Sequence, residues 1–177
     1  MITDRTKFIR WYVSPYNRLK KIPNGDGAFV ALSMGVFLCE RYYRIKSNTI
    51  TQHSKTEPFL KKAAWDLDCD LKLFRHFWYL FRNGMQHQGQ PKKKFRDYQF
   101  GGRTFRYRWM IGAEFGQRPS LCVNNGLRII AINPWKFTRF MLTRFIQNPA
   151  ILRRSISHSF GDIFPLPPGC RCSEKPY

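Results

Sequence analysis

Acidic residues are scarce in this chain. Asp and Glu number 11 against 31 Lys and Arg, which leaves a formal net charge of +20 over 177 residues. A fold with that excess repels itself unless a polyanion absorbs it. RNA or DNA is therefore the expected partner, with an anionic membrane surface second. Long apolar runs are lacking as well. The longest, AFVALSMGVFLC at Ala28–Cys39, is too short to cross a bilayer, so no membrane association is expected. The opening MITDRTKFIRWYV breaks its apolar residues with charge, so no secretory leader is expected either. The 5 cysteines form no C-x-x-C pair and their number is odd, which speaks against a disulfide scaffold and for reduced thiols in the cytoplasm. Cys170 and Cys172 stand close together in the tail, but without a second pair they make no metal site. A glycine-rich phosphate loop, an H-E-x-x-H helix, a serine–histidine–acid arrangement and an internal repeat are all missing. Neither a cofactor nor a metal is expected.

Apolar and aromatic residues are plentiful, at 43% and 16%. That composition builds a core, and the length suits one domain with an appendage rather than two domains. Residues 4–13 form an amphipathic helix with Phe8, Trp11 and Tyr12 on one side. SPYNRLKKIPNGDG, with two prolines and two glycines, is expected to break the chain. Asp26 is a candidate cap for a helix over about 27–46, whose apolar stripe is Phe29, Leu32, Val36, Phe37 and Tyr43. Glu40 falls on that stripe and calls for a cationic partner. After a polar linker, Thr56-Glu57-Pro58 starts a long helix from about 58 into the high 80s, with Pro91 as its stop. Its apolar face is Leu67, Leu71, Phe74, Phe77, Trp78 and Phe81.

Beyond residue 96 the period changes to two. Phe105, Tyr107 and Trp109 alternate with Thr104, Arg106 and Arg108, and two apolar runs flank Asn124-Asn125-Gly126 as a hairpin. Asn133-Pro134 starts a last helix over about 134–147, and the chain from Asn148 reads as a proline-rich tail without regular structure. The expected fold is mainly α, a helical bundle with a small antiparallel β-hairpin appendage. Its divisions are an N-terminal helix and linker (1–23), a helical domain (24–147, with the β insertion at about 96–132) and a tail (148–177).

The candidate site is LFRNGMQHQGQPKKK, Leu80 to Lys94. Asn83 and His87 are four apart, so on a helix the amide orients the imidazole, and the long Arg82 side chain reaches the same cleft. An imidazole moves protons near neutral pH and a guanidinium holds a phosphate, which are the two needs of RNA cleavage without a metal. The Arg-to-His spacing alone is weak, since Arg153 and His158 repeat it. The intervening Asn and the preceding apolar helix separate the two. The plain alternative is that Asn83 and His87 are a polar helix end and that Arg82 simply satisfies Glu40, a contact also compatible with catalysis because it would hold the arginine in place. His76, among Phe74, Phe77 and Trp78, reads as a core histidine, and His53 in the linker carries no signal.

FRNGMQHQG resembles the R-N-x-x-x-H motif of HEPN domains, small helical bundles that include many metal-independent endoribonucleases. The resemblance spans about 24–95 by arrangement but only about ten residues by motif. It implies that Arg82 contacts the scissile phosphate, that His87 transfers a proton and that Asn83 positions them. It also implies a homodimer that brings two motifs together, and a role as a toxin or in antiviral defence. A nuclease this basic calls for an acidic antitoxin or inhibitor. Gly89 stands where some members have a tyrosine, and Gly84 sits inside the motif.

Lys92, Lys93 and Lys94 follow the motif and read as phosphate contacts. Arg106 and Arg108 are expected to face outward as further RNA contacts while the three rings pack inward. The opposite arrangement would have the rings stacking bases. Two rival functions remain at this level. One is a non-catalytic basic RNA-binding or scaffold protein of the same fold, and the other, weaker, is a helical DNA-binding protein.

Overall fold

The computed structural model describes residues 3–50, 56–82, 84, 98–100, 103–105, 107–124 and 127–159. The fold is mainly helical, with two small sheets inserted before the last two helices. The first helical stretch runs through α1 (Asp4–Phe8), a π-helical turn (Ile9–Val13) and α2 (Ser14–Leu19). It continues past Pro15, where a break was expected. The Ser14 amide bonds back five residues to Ile9. This wider turn eases the clash that a proline ring makes with the preceding turn of an ordinary α-helix. The chain breaks only at Pro23–Gly25, where Asn24 and Gly25 take positive φ.

The central helix is α3 (Ala28–Lys46). Leu32, Val36, Cys39 and Tyr43 are buried, and so are Ala31, Leu38, Tyr42 and Ile45, so more than one stripe is covered. Such a helix is surrounded by neighbours rather than laid on one. Two residues of the expected stripe are not in the core. Phe37 is 51% exposed, and Phe29 lies at the rim with its edge against Trp109. Asp26 does not cap the helix; Gly27 occupies that position without a side-chain bond.

The long helix expected from 58 is two helices. α4 (Glu57–Asp66) ends where Asp68 takes positive φ, and Asp70 caps α5 (Leu71–Phe77) by accepting from the Leu73 amide at 2.8 Å. The run of aspartates supplies the turn and the cap that periodicity alone overlooks. α5 continues as a π-helical segment, Trp78–Arg82. Its apolar face is as expected, with Phe74, Phe77 and Phe81 fully buried.

Strands β1 (Tyr98–Phe100) and β2 (Arg103–Phe105) pair antiparallel. β3 (Tyr107–Ile111), β4 (Ser120–Asn124) and β5 (Leu127–Ile132) form a second sheet in the order β3-β5-β4. β4 and β5 pair antiparallel with Asn124 opposite Leu127, while Asn125 and Gly126 lie outside the described residues. β3 runs parallel to β5, so the sheet is mixed rather than wholly antiparallel. Nor is it a satellite: Tyr107, Ile130 and Ile132 belong to the main core.

Two helices close the fold. Asn133 caps α6 (Pro134–Gln147) through the Lys136 amide, and Phe137, Met141 and Phe145 are fully buried on it. Each such side chain contributes about 2–3 kcal/mol by burial. α7 (Pro149–Ser159) lies where an irregular tail was expected to start. Its Leu152 and Ile156 are buried four residues apart, a helical period hidden between arginines. The rest of the tail lies outside the described residues. The N-terminal helices share this core: Phe8 packs on Phe145, and the Tyr16 hydroxyl donates to the Trp135 carbonyl at 2.9 Å.

α3 and α6 approach closely at Gly35. A Cβ there would fall against Thr138 Oγ1 and 2.9 Å from Phe137 Cδ1. Thr138 in turn donates to the Ala31 carbonyl at 2.6 Å. On an open helix Gly→Ala gains up to about 1 kcal/mol. Here Gly35→Ala is expected to lose about 1–3 kcal/mol through overpacking. Equilibrium urea unfolding checks this, and a gain in stability would contradict the close crossing.

Candidate functional site

Of the three motif residues, Arg82 is described; Asn83 and His87 lie outside the described residues, as do Lys92, Lys93, Lys94 and Arg106. Arg82 ends the π-helical segment that continues α5, and its side chain reaches α3. Its Nε donates to Glu40 Oε2 at 3.1 Å and one terminal nitrogen to Oε1 at 3.4 Å. This side-on, two-bond geometry is the one that fixes a guanidinium plane most firmly. The anticipated Glu40–Arg82 pair is therefore present.

Glu40 serves a second arginine. Arg44, one turn along α3, donates from Nε to Oε1 at 2.8 Å. It also reaches the Thr49 carbonyl at 3.5 Å and lies over the Phe59 ring, 4.6 Å from its centroid. Burial is graded across the cluster. The side chains of Arg44, Glu40 and Arg82 are 6%, 15% and 23% exposed. Two guanidiniums share one carboxylate, so the group keeps a net positive charge, and its most accessible member is Arg82. Nothing in the sequence singled out Arg44, although its place four residues after Glu40 is the spacing of a helical ion pair.

The rings of β3 face inward. Tyr107 is buried, and Trp109 packs on Phe81 and Phe29. Arg108 between them is half-buried, less outward than expected of a phosphate contact. The side chain of Phe105 lies outside the described residues.

His76 is a core residue. It is 1% exposed and packs against Tyr107 with the rings tilted and their centroids 4.7 Å apart. Burial, helped by Lys72 and Arg128 and opposed by Asp70, lowers its pKa from 6.5 to about 4. It is therefore neutral at physiological pH. The cysteine thiols are no better placed for proton transfer: burial pushes Cys39 well up, and Cys69 to about 11. Cys39, Cys69 and Cys122 are free thiols, and among the described residues no three His, Cys, Asp or Glu side chains gather as a metal site. Also among them, no helix is long and apolar enough to cross a membrane.

No family model, curated protein or solved structure matches this chain.

Removing the carboxylate tests the cluster. Glu40→Gln leaves Arg44 buried without its counter-charge and is expected to cost about 2–3 kcal/mol, below the range for a fully buried pair because Glu40 keeps some solvent. Denaturant unfolding checks it, and an unchanged midpoint would mean the cluster contributes nothing.

His76 gives a pH dependence of definite sign. Above pH 6.5 it is neutral folded and unfolded, and stability is full. Below 6.5 the unfolded chain takes up a proton that the folded chain refuses until about pH 4. Stability therefore falls across that window, by on the order of 3 kcal/mol from this residue. Unfolding curves at pH 7 and pH 4.5 should show a smaller drop for His76→Gln than for wild type.

Proposed function

We propose that this chain is a metal-independent endoribonuclease of the HEPN kind, working as a homodimer. The observation that supports this most is the Glu40–Arg82 pair, which holds the motif arginine in one orientation while the cluster around it stays cationic. A guanidinium fixed in this way is preorganised for the charge that develops on a phosphorane. The segment that presents it is π-helical, a distortion frequent at functional sites. The excess of 20 positive charges favours RNA as the substrate.

In this reading the His87 imidazole takes the proton from a ribose 2′-hydroxyl, and the 2′-oxygen attacks the adjacent phosphorus. The bond from phosphorus to the 5′-oxygen breaks, leaving a 2′,3′-cyclic phosphate. The leaving oxygen receives a proton from the second His87, across the dimer axis, since one imidazole does not serve at once as base and acid. Arg82 carries the phosphorane charge and Asn83 orients the pair. The biological setting is that of a toxin or of antiviral defence, held in check by an acidic partner.

A second reading keeps the RNA and drops the chemistry. The same Glu40–Arg82–Arg44 cluster satisfies a half-buried carboxylate with no catalytic purpose.

Cleavage of RNA in EDTA separates the two. Wild type should cut, whereas His87→Ala should lose on the order of 100-fold or more in rate, the usual worth of a general acid or base. Both should bind a 2′-deoxy analogue equally. Binding without cleavage by wild type would favour the second reading.

A further inference from the structure

Trp65 is the most exposed large apolar side chain among the described residues, at 86%. It stands on the outward face of α4, whose inward face buries Phe59, Leu60, Ala63 and Ala64. A tryptophan left in water on an otherwise well-partitioned helix needs a reason. Its surroundings supply one. A shallow depression of about 360 Å³ is lined by Trp65, Lys46, Lys61, Lys62 and Asp66, setting three ammonium groups against one carboxylate around a single ring.

Two of these lysines are held in place. Lys62 Nζ donates to the Lys46 carbonyl at the end of α3, at 2.7 Å. Lys46 Nζ sits 3.0 Å from Asp66, whose other ties run to the Tyr43 hydroxyl and to Arg144. Lys61 lies one turn before Trp65 on the same face. The arrangement is a flat π-surface bordered by positioned cations.

We propose that this face of α4 is a docking platform for single-stranded RNA, with a base stacked on Trp65 and the flanking phosphates held by Lys46, Lys61 and Lys62. Charge complementarity and the lone ring both favour this occupant. Stacking needs one open aromatic face, and cations beside it track the backbone. A membrane-binding helix needs a broad apolar face that enters the lipid, and here the residues around Trp65 in the depression are all charged. The platform rests on RNA as the ligand but not on cleavage.

The test is fluorescence anisotropy with a short 2′-O-methyl oligouridylate, which the chain cannot cut, so loss of the nuclease reading leaves it intact. Trp65→Ala should weaken binding about 5- to 100-fold, with Trp65→Phe restoring most of it. Because the side chain is exposed, neither variant should change the unfolding midpoint. A strand of abasic sites, equal in charge, should bind wild type and Trp65→Ala alike. Lys61→Ala should reduce the salt slope of binding by about 0.7. Equal affinity of wild type and Trp65→Ala for the base-bearing strand overturns the platform. So does a Trp65 dependence seen only with phosphatidylserine vesicles. Failure of wild type to bind the strand at all overturns the platform and the RNA reading together.

Discussion

The close approach of α3 and α6 at Gly35 sets the position of nearly everything else, because α3 is the element against which the rest is packed. With no side chain at residue 35, Thr138 comes near enough to donate to the Ala31 carbonyl, and the Phe137 ring edge fills the space a Cβ would need. Phe137 in turn meets Phe77, and Phe77 meets Phe81, one residue before Arg82. A continuous line of rings thus runs from the helix crossing to the arginine. The Glu40–Arg82 distance depends on that line, since both residues belong to elements whose spacing the rings fix. Interiors packed to this density transmit displacement rather than absorb it.

How much of this was legible in the sequence varied with the kind of signal. Strong local chemistry read correctly: Asn133-Pro134 started a helix, and the apolar runs on either side of Asn124-Asn125-Gly126 pair antiparallel as β4 and β5. Periodicity identified the apolar face of α5 as well. It failed at α3, where a helix covered on several sides has no single stripe, and Phe37 fell on an open side. It also ran α4 and α5 together, because Leu67 and Leu71 keep a helical spacing across the Asp68–Asp70 turn. α7 was lost in a segment dominated by arginine and serine. The parallel pairing of β3 with β5 had no local signature at all, since partner choice between distant strands is a tertiary property.

The site shows the same division. Glu40 was recognisable as a carboxylate on an apolar face, and Arg82 as a candidate partner; their contact across two helices is the product of packing. Arg44 escaped notice because a second arginine in a chain this basic stands out only once its burial is known. Trp65 carried no signal either, since a single aromatic residue does not show which way it faces until the buried side of its helix is known. The graded exposure of Arg44, Glu40 and Arg82 also limits what any ligand can reach, leaving the outermost guanidinium as the group it meets first.

The strand order has a consequence for how the chain acquires its shape. β5 is made last of the three strands, yet it lies between the other two. The antiparallel β4–β5 pairing is local in sequence, so it can form early and by itself. β3 must wait, its backbone groups on that side unmatched, until the finished hairpin docks beside it in parallel. Loop closure then comes before any reward from the new ladder, which makes that docking the slow event. During synthesis β3 leaves the ribosome well ahead of its partner. Until β5 arrives it is an open edge carrying Tyr107 and Trp109, the kind of exposed strand that invites pairing with another chain.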